Sequence, residues 1–216
     1  MASLVSLRTS ISETIQDKKV TNKKIDNLIN KCLLYTANRI LLSNLESNGE
    51  VNTVENTYII DIPITWNFHR NLFNCQIDKF SNITILNSIE ALLRHYPNFK
   101  TDLLKGPIEF VLITKSSIIY YPIPDVVTLK CSFYTKPEIL NTSISEPICI
   151  PEGMHEVVVE NYVLGELYGK VEDGTDGRTV NTNKFKKDYE KALEDLDDVL
   201  NSGQSRPLPD RTTNWI

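Results

Sequence analysis

Imidazole titrates near neutrality and is the commonest metal ligand, so the three histidines come first. His69, His95 and His155 lie in separate stretches of the 216-residue chain and share no spacing. A metal site needs converging ligands, and neither His-Glu-x-x-His nor His-x-His occurs. His155 precedes Glu156, but adjacent helical residues point about 100° apart. Cys32, Cys75, Cys131 and Cys149 are widely spaced among apolar neighbours, with no Cys-x-x-Cys. They read as buried thiols of a reducing compartment. Asp173-Gly174-Thr175-Asp176-Gly177 has the polarity of a calcium loop. Counted from Asp173, however, the sixth position is Arg178 and the twelfth Lys184, where an EF-hand needs Gly and Glu. The segment reads as a helix–helix connection. No Gly-x-x-x-x-Gly-Lys-Ser/Thr, Gly-x-Gly-x-x-Gly or Gly-x-Ser-x-Gly motif is present. The expectation is a protein that is not an enzyme and has no catalytic residue, metal or cofactor.

Composition narrows the partners. A hydrophobic share of 41% supports a core, and charged residues at 24% are ordinary for a soluble chain. The net charge of -5 argues against a grip on nucleic acid, which usually needs a basic surplus. Lysines cluster only at Lys18-Lys19, Lys23-Lys24 and Lys184 to Lys187. No run approaches the ~20 apolar residues of a membrane helix. Met1 to Leu7 lacks the cationic patch and apolar stretch of a signal peptide, so no membrane partner or export is expected.

The elements follow from periodicity. Leu4, Leu7, Ile11 and Ile15 predict a first helix. Thr21 is placed to cap a second, whose stripe runs Ile25, Leu28, Ile29, Cys32, Leu33, Thr36, Ile40 and Leu41, fading near Ser47-Asn48-Gly49. Residues 51–54 and 58–62 read as two strands around a Glu55-Asn56 turn. Further strands are predicted at 72–77, 108–113, 118–121 and 126–134, with one or two helical turns at 87–94. Gly106-Pro107 marks a turn, Lys115-Ser116-Ser117 a hairpin loop, and Pro122 and Pro124 interruptions. After a polar linker, 141–150, Pro151 opens a third helix with Met154, Val157, Val158, Tyr162, Leu164 and Tyr168 on its stripe. Phe185, Tyr189, Ala192, Leu193, Leu196, Val199 and Leu200 mark a fourth, ending at Gly203. The fold class predicted is α+β, mainly α. Residues 1–50 and 151–200 form a helical bundle, 51–140 a β-rich insertion, and 201–216 an extended C-terminal arm.

The fourth helix has an unusual charge order. Lys184, Lys186 and Lys187 crowd its start, and Glu194, Asp195, Asp197 and Asp198 its end. The helix dipole favours the reverse by about 0.3–1 kcal/mol per charge. Lys184, Lys187, Glu194, Asp195 and Asp198 are therefore candidate inter-subunit contacts, complementary between neighbouring copies.

Several phrases, in order, resemble the tail-adaptor (head–tail connector) proteins of short-tailed bacteriophages. They are Ile25-Asp26-Asn27-Leu28-Ile29-Asn30-Lys31-Cys32-Leu33-Leu34, then Tyr58-Ile59-Ile60-Asp61-Ile62-Pro63, then Gly106-Pro107. Tyr121-Pro122-Ile123-Pro124-Asp125 follows, with a strand from Leu129 to Pro137 and the helix from Pro151 to Tyr168. Tyr189-Glu190-Lys191-Ala192-Leu193-Glu194-Asp195-Leu196 completes the series. The resemblance implies a virion structural protein assembled in the host cytoplasm. It implies a homo-oligomeric ring of about twelve at the neck. Its expected partners are the portal ring, tail, nozzle or other neck proteins, and packaged DNA passing without specific binding. The arm is then the expected portal contact, through Arg206, Leu208, Arg211, Trp215 and Ile216, with Trp215-Ile216 as an apolar anchor. The residues alone also leave open another neck or tail ring protein, a head-completion protein, or a helical binding module outside any virion.

Overall fold

The structure, a computed structural model, describes residues 3–17, 19–77, 83–172 and 179–202. In chain order its elements are α1 (Leu4–Ile15), α2 (Asn22–Arg39), β1 (Glu46–Asn52), β2 (Ile59–Asp61), β3 (Phe68–Gln76) and β4 (Thr84–Leu86). Then come α3 (Ile89–His95), β5 (Phe110–Ile113), β6 (Ser117–Tyr121), β7 (Thr128–Thr135), α4 (His155–Glu172) and α5 (Val180–Asn201). The fold is α+β, mainly α, as its sequence pattern predicts. Two compact units divide the chain: residues 45–136, and the segments 1–44 and 137–216 together.

The helical unit is built on α4, which packs against α1, α2 and α5. A helix touched on several sides must be apolar over most of its circumference. Val158, Val159, Tyr162, Val163, Leu164 and Leu167 are all buried. The predicted stripe placed Val157 inward, yet it is exposed while Val159 is buried. A run of three valines fits two helical phases equally, and packing on several sides selects the one that buries Val158 and Val159. Gly165 and Gly169, one turn apart, face α5. A Cβ at Gly165 would stand 3.4 Å from Lys186 Cγ, and one at Gly169 3.6 Å from Thr182 Cγ2.

Local signals set two helix starts. Ser3 and Thr21 accept from the backbone N–H groups of Ser6 and Lys24, capping α1 and α2. The cap of α5 is not local. Glu172, at the end of α4, accepts from Asn181 N, Thr182 N and Thr182 Oγ1 at 3.1, 2.9 and 2.6 Å. These bonds, the Thr182 hydroxyl foremost, hold the Glu172 carboxyl below the ordinary glutamate range. An anion thus sits at the positive end of a helix whose own first turn carries no acid. Arg8 grips Asp26 bidentately, Nε to Oδ1 at 2.5 Å and Nη2 to Oδ2 at 2.6 Å, tying α1 to α2.

The β-rich unit holds two sheets. One has the order β1-β7-β3 and is antiparallel. The other is β2-β6-β5-β4, in which β4 and β5 run parallel. The sheets share a core of Ile60, Trp66, Leu72, Val111, Ile118, Tyr120, Leu129 and Phe133. A second core, of Leu92, Phe99, Leu112, Ile119, Tyr121 and Ile123, brings α3 to the opposite face of β5 and β6. A strand buried on both faces has no polar alternation, which accounts for the unbroken Ile118-Ile119-Tyr120-Tyr121. The 108–113 and 118–121 hairpin forms as predicted, from Phe110↔Tyr121 to Ile113↔Ile118. The Tyr121–Pro122 peptide bond is cis.

Three expectations are corrected. α2 ends at Arg39 rather than near 47–49, with Ile40 already extended. Beyond it, Ser47, Asn48 and Gly49 lie within β1, because β7 is available to pair with them. The strands flanking the Glu55-Asn56 turn do not pair with each other. β1 joins β7, and β2 joins β6 in the other sheet. Val199 is exposed although the α5 stripe included it. The loop 173–177, Gly203 and Lys18 lie outside the described residues.

Candidate functional site

The five inter-subunit candidates all sit on α5 and are exposed: Lys184 and Lys187 near its start, Glu194, Asp195 and Asp198 towards its end. Their exposure follows from the opposite stripe, where Thr182, Tyr189, Ala192, Leu193 and Leu196 are buried. Lys184 Nζ lies 5.4 Å from the Phe185 ring centroid, and that ring stacks on Tyr168 at 5.4 Å. The structure therefore brings the five onto one helix but not into one cluster. Arg206, Leu208, Arg211, Trp215 and Ile216 lie outside the described residues.

A concavity lies in the helical unit. It holds about 250 Å³ and lies among Lys31 and Tyr35 of α2, Tyr162 and Glu166 of α4, and Lys186, Tyr189 and Glu190 of α5. Three tyrosines line it. Ring centroids are 5.8 Å apart for Tyr35 and Tyr162, 6.2 Å for Tyr35 and Tyr189, and 5.1 Å for Tyr162 and Tyr189. These are tilted or edge-on contacts, the favoured aromatic geometries. Tyr189 is anchored by the Thr36 hydroxyl, 3.1 Å away. Tyr35 is 42% exposed and offers its ring to solvent. Two ion pairs form the rim: Lys31 Nζ to Glu166 Oε2 at 2.9 Å and Arg39 Nη1 to Glu190 Oε2 at 2.6 Å. Lys31 also lies over Tyr162 and Arg39 over Tyr35, each 5.8 Å from the ring centroid.

Burial sets the electrostatics beneath the pocket. Burial raises the Tyr189 phenol and pushes the Cys32 thiol beneath it up to about 12. Both are neutral at physiological pH, and a neutral thiol is a poor nucleophile. Cys149 is pushed up to about 11, again by burial. All four cysteines are buried, as their apolar neighbours suggest. Cys75 and Cys131 face each other across β3 and β7 with sulfurs 3.7 Å apart, and their mutual hydrogen bond and burial raise the Cys131 thiol. His155 Nε2 donates to the Ile150 carbonyl at 2.7 Å, fixing the entry to α4. His95 stacks on Phe110. Among the described residues no three His, Cys, Asp or Glu side chains converge as a metal set, and no helix is long and apolar enough to cross a membrane.

The tyrosine pocket is not legible as a site in the sequence. Tyr162 and Tyr189 appear there as core positions, and Tyr35 is off the α2 stripe. The only signal is that two of the rings lie on buried stripes and the third beside one, on helices from both ends of the chain.

No curated protein matches the chain at a significant level. The family model described as SU10 adaptor protein matches residues 2–212, nearly the whole chain and both compact units. An exposed, charge-segregated helix, a rimmed aromatic notch and neutral buried thiols suit a protein whose work is assembly, and by this match the chain belongs to the SU10 adaptor protein family of phage adaptors.

Proposed function

We propose that the chain is a head–tail adaptor subunit at the virion neck of a short-tailed phage. A ring of about twelve copies docks beneath the portal, extends the DNA channel and attaches the tail or other neck proteins. The observation that carries this reading is the family match over residues 2–212. A ring contact is heterologous, so each subunit needs two different complementary faces. Lys184 and Lys187 near the start of α5, and Glu194, Asp195 and Asp198 towards its end, supply opposite charges for it. Arg206, Leu208, Arg211, Trp215 and Ile216 reach the portal. The net charge of -5 suits a channel past which a polyanion slides without sticking. The protein's part is mechanical, and no step of it calls for a catalytic residue or cofactor.

The test is to mix purified protein with the portal ring encoded by the same genome and image the mixture by electron microscopy. A second ring stacked on the portal is the expected result, and its symmetry gives the copy number. Bare portals at micromolar concentrations of both folded proteins would overturn portal docking and favour another neck or tail position.

A further inference from the structure

We propose that the pocket of Tyr35, Tyr162 and Tyr189 is the seat of Trp215 from the chain's own segment 203–216 in the free subunit. Size is the first argument. Small-molecule sites usually hold ~300–1,000 Å³. At about 250 Å³, with three aromatic rings for walls, this notch suits one large side chain. An aromatic residue in such a pocket is the usual form of a binding anchor. Trp66, the only other tryptophan, is already buried against Phe133 with centroids 4.7 Å apart.

Reach is the second argument. The described part of α5 ends at Asn201, about 18 Å along the helix axis from Tyr189 at 1.5 Å per residue. The segment from 203 to 215 spans up to about 43 Å when extended, so it can turn back and cover that distance within one chain.

Charge along the route favours the same seat. The rim residue Glu190 continues into Glu194 and Asp197 at helical spacing, with Asp195 and Asp198 beside them. This acidic track runs from the pocket to the end of α5. The segment that must follow it carries Arg206 and Arg211 against a single acid, Asp210.

The inference concerns the free subunit, so its test needs no portal and is independent of the ring assay. The emission of Trp215, taken as the difference between wild type and Trp215→Ala, is measured with added acrylamide. Trp66 contributes equally to both. In the wild type this difference signal should resist quenching at every protein concentration. Tyr35→Ala, which removes an exposed wall, should make it several-fold more quenchable, with circular dichroism unchanged. Arg206→Glu/Arg211→Glu should do the same with the pocket intact. Two outcomes would overturn the proposal: Trp215 as quenchable in wild type as in Tyr35→Ala, or protection that appears only as the protein dimerises, which would assign the pocket to a second copy.

Discussion

Gly49 shows how one residue fixes a surface of the β-rich unit. The Trp66 indole lies across β1 at this point, and a Cβ on residue 49 would clash with its Cε2 and Nε1. A glycine inside a strand often marks such a close approach. Trp66 cannot retreat, because it is stacked on Phe133 at the centre of the core. Gly49→Ala should destabilise the protein by about 1–3 kcal/mol, the usual cost of overpacking, read from its urea midpoint. Glu160 makes the opposite kind of prediction. Burial raises its carboxyl above the usual range, and Glu156 adds to this against a hydrogen bond from Ser10. A raised folded-state value means that the native chain binds the proton more tightly than the unfolded one. Stability is then full below the ordinary glutamate range and falls as pH rises through the raised value. Glu160→Gln should therefore be more stable than wild type at pH 7, with the gap closing as pH falls below the ordinary range. Urea titrations at several pH values read both the sign and the window.

At the scale of elements, whatever is local is readable in advance. The Thr21 cap, the Phe110–Tyr121 hairpin and the stripes of α1 and α5 each depend on residues close in sequence. The end of α2 is different. Leu41 and Leu42 extend its apolar pattern, and nothing nearby reveals that β1 will pair with a strand some eighty residues later, Glu46 opposite Tyr134. The three-residue β4 is invisible for the same reason, since it exists only through parallel pairing with β5. The tyrosine pocket needs three helices drawn from both ends of the chain, so periodicity within any one of them cannot show it. The α1–α2 junction is also a long-range choice, and its Arg8–Asp26 pair is testable. Both side chains are about one-fifth exposed, and the contact is bidentate. Such geometry places it near the top of the range for surface pairs. Asp26→Asn, which keeps the shape and removes the charge, should lower stability by about 1 kcal/mol in urea, an effect that shrinks at high salt.

For the whole molecule the open matter is how copies meet. Under the proposed ring, the lysines of one α5 face the acids of the next, so reversing one side should repel where the wild type attracts. Glu194→Lys/Asp198→Lys is expected to fold normally, because both residues are exposed, yet to leave portals without an added ring in electron micrographs. The same change alters the acidic track that the arm is proposed to follow, so on its own it does not separate the two roles. The compensating change does. Adding Lys184→Glu/Lys187→Glu rebuilds an opposite-charge contact between neighbours with its polarity exchanged, while the stretch from Glu190 to Asp198, which also holds Lys191, keeps no net acidic charge to attract Arg206 and Arg211. The quadruple variant should therefore recover rings on portals while its Trp215 stays open to acrylamide. Raising salt from low to physiological should weaken ring addition in wild type and quadruple variant alike, since exposed charges are screened beyond ~8 Å at that ionic strength. Rings that form equally well on the Glu194→Lys/Asp198→Lys double variant would remove α5 charge from the subunit contact and leave its acids to the arm alone.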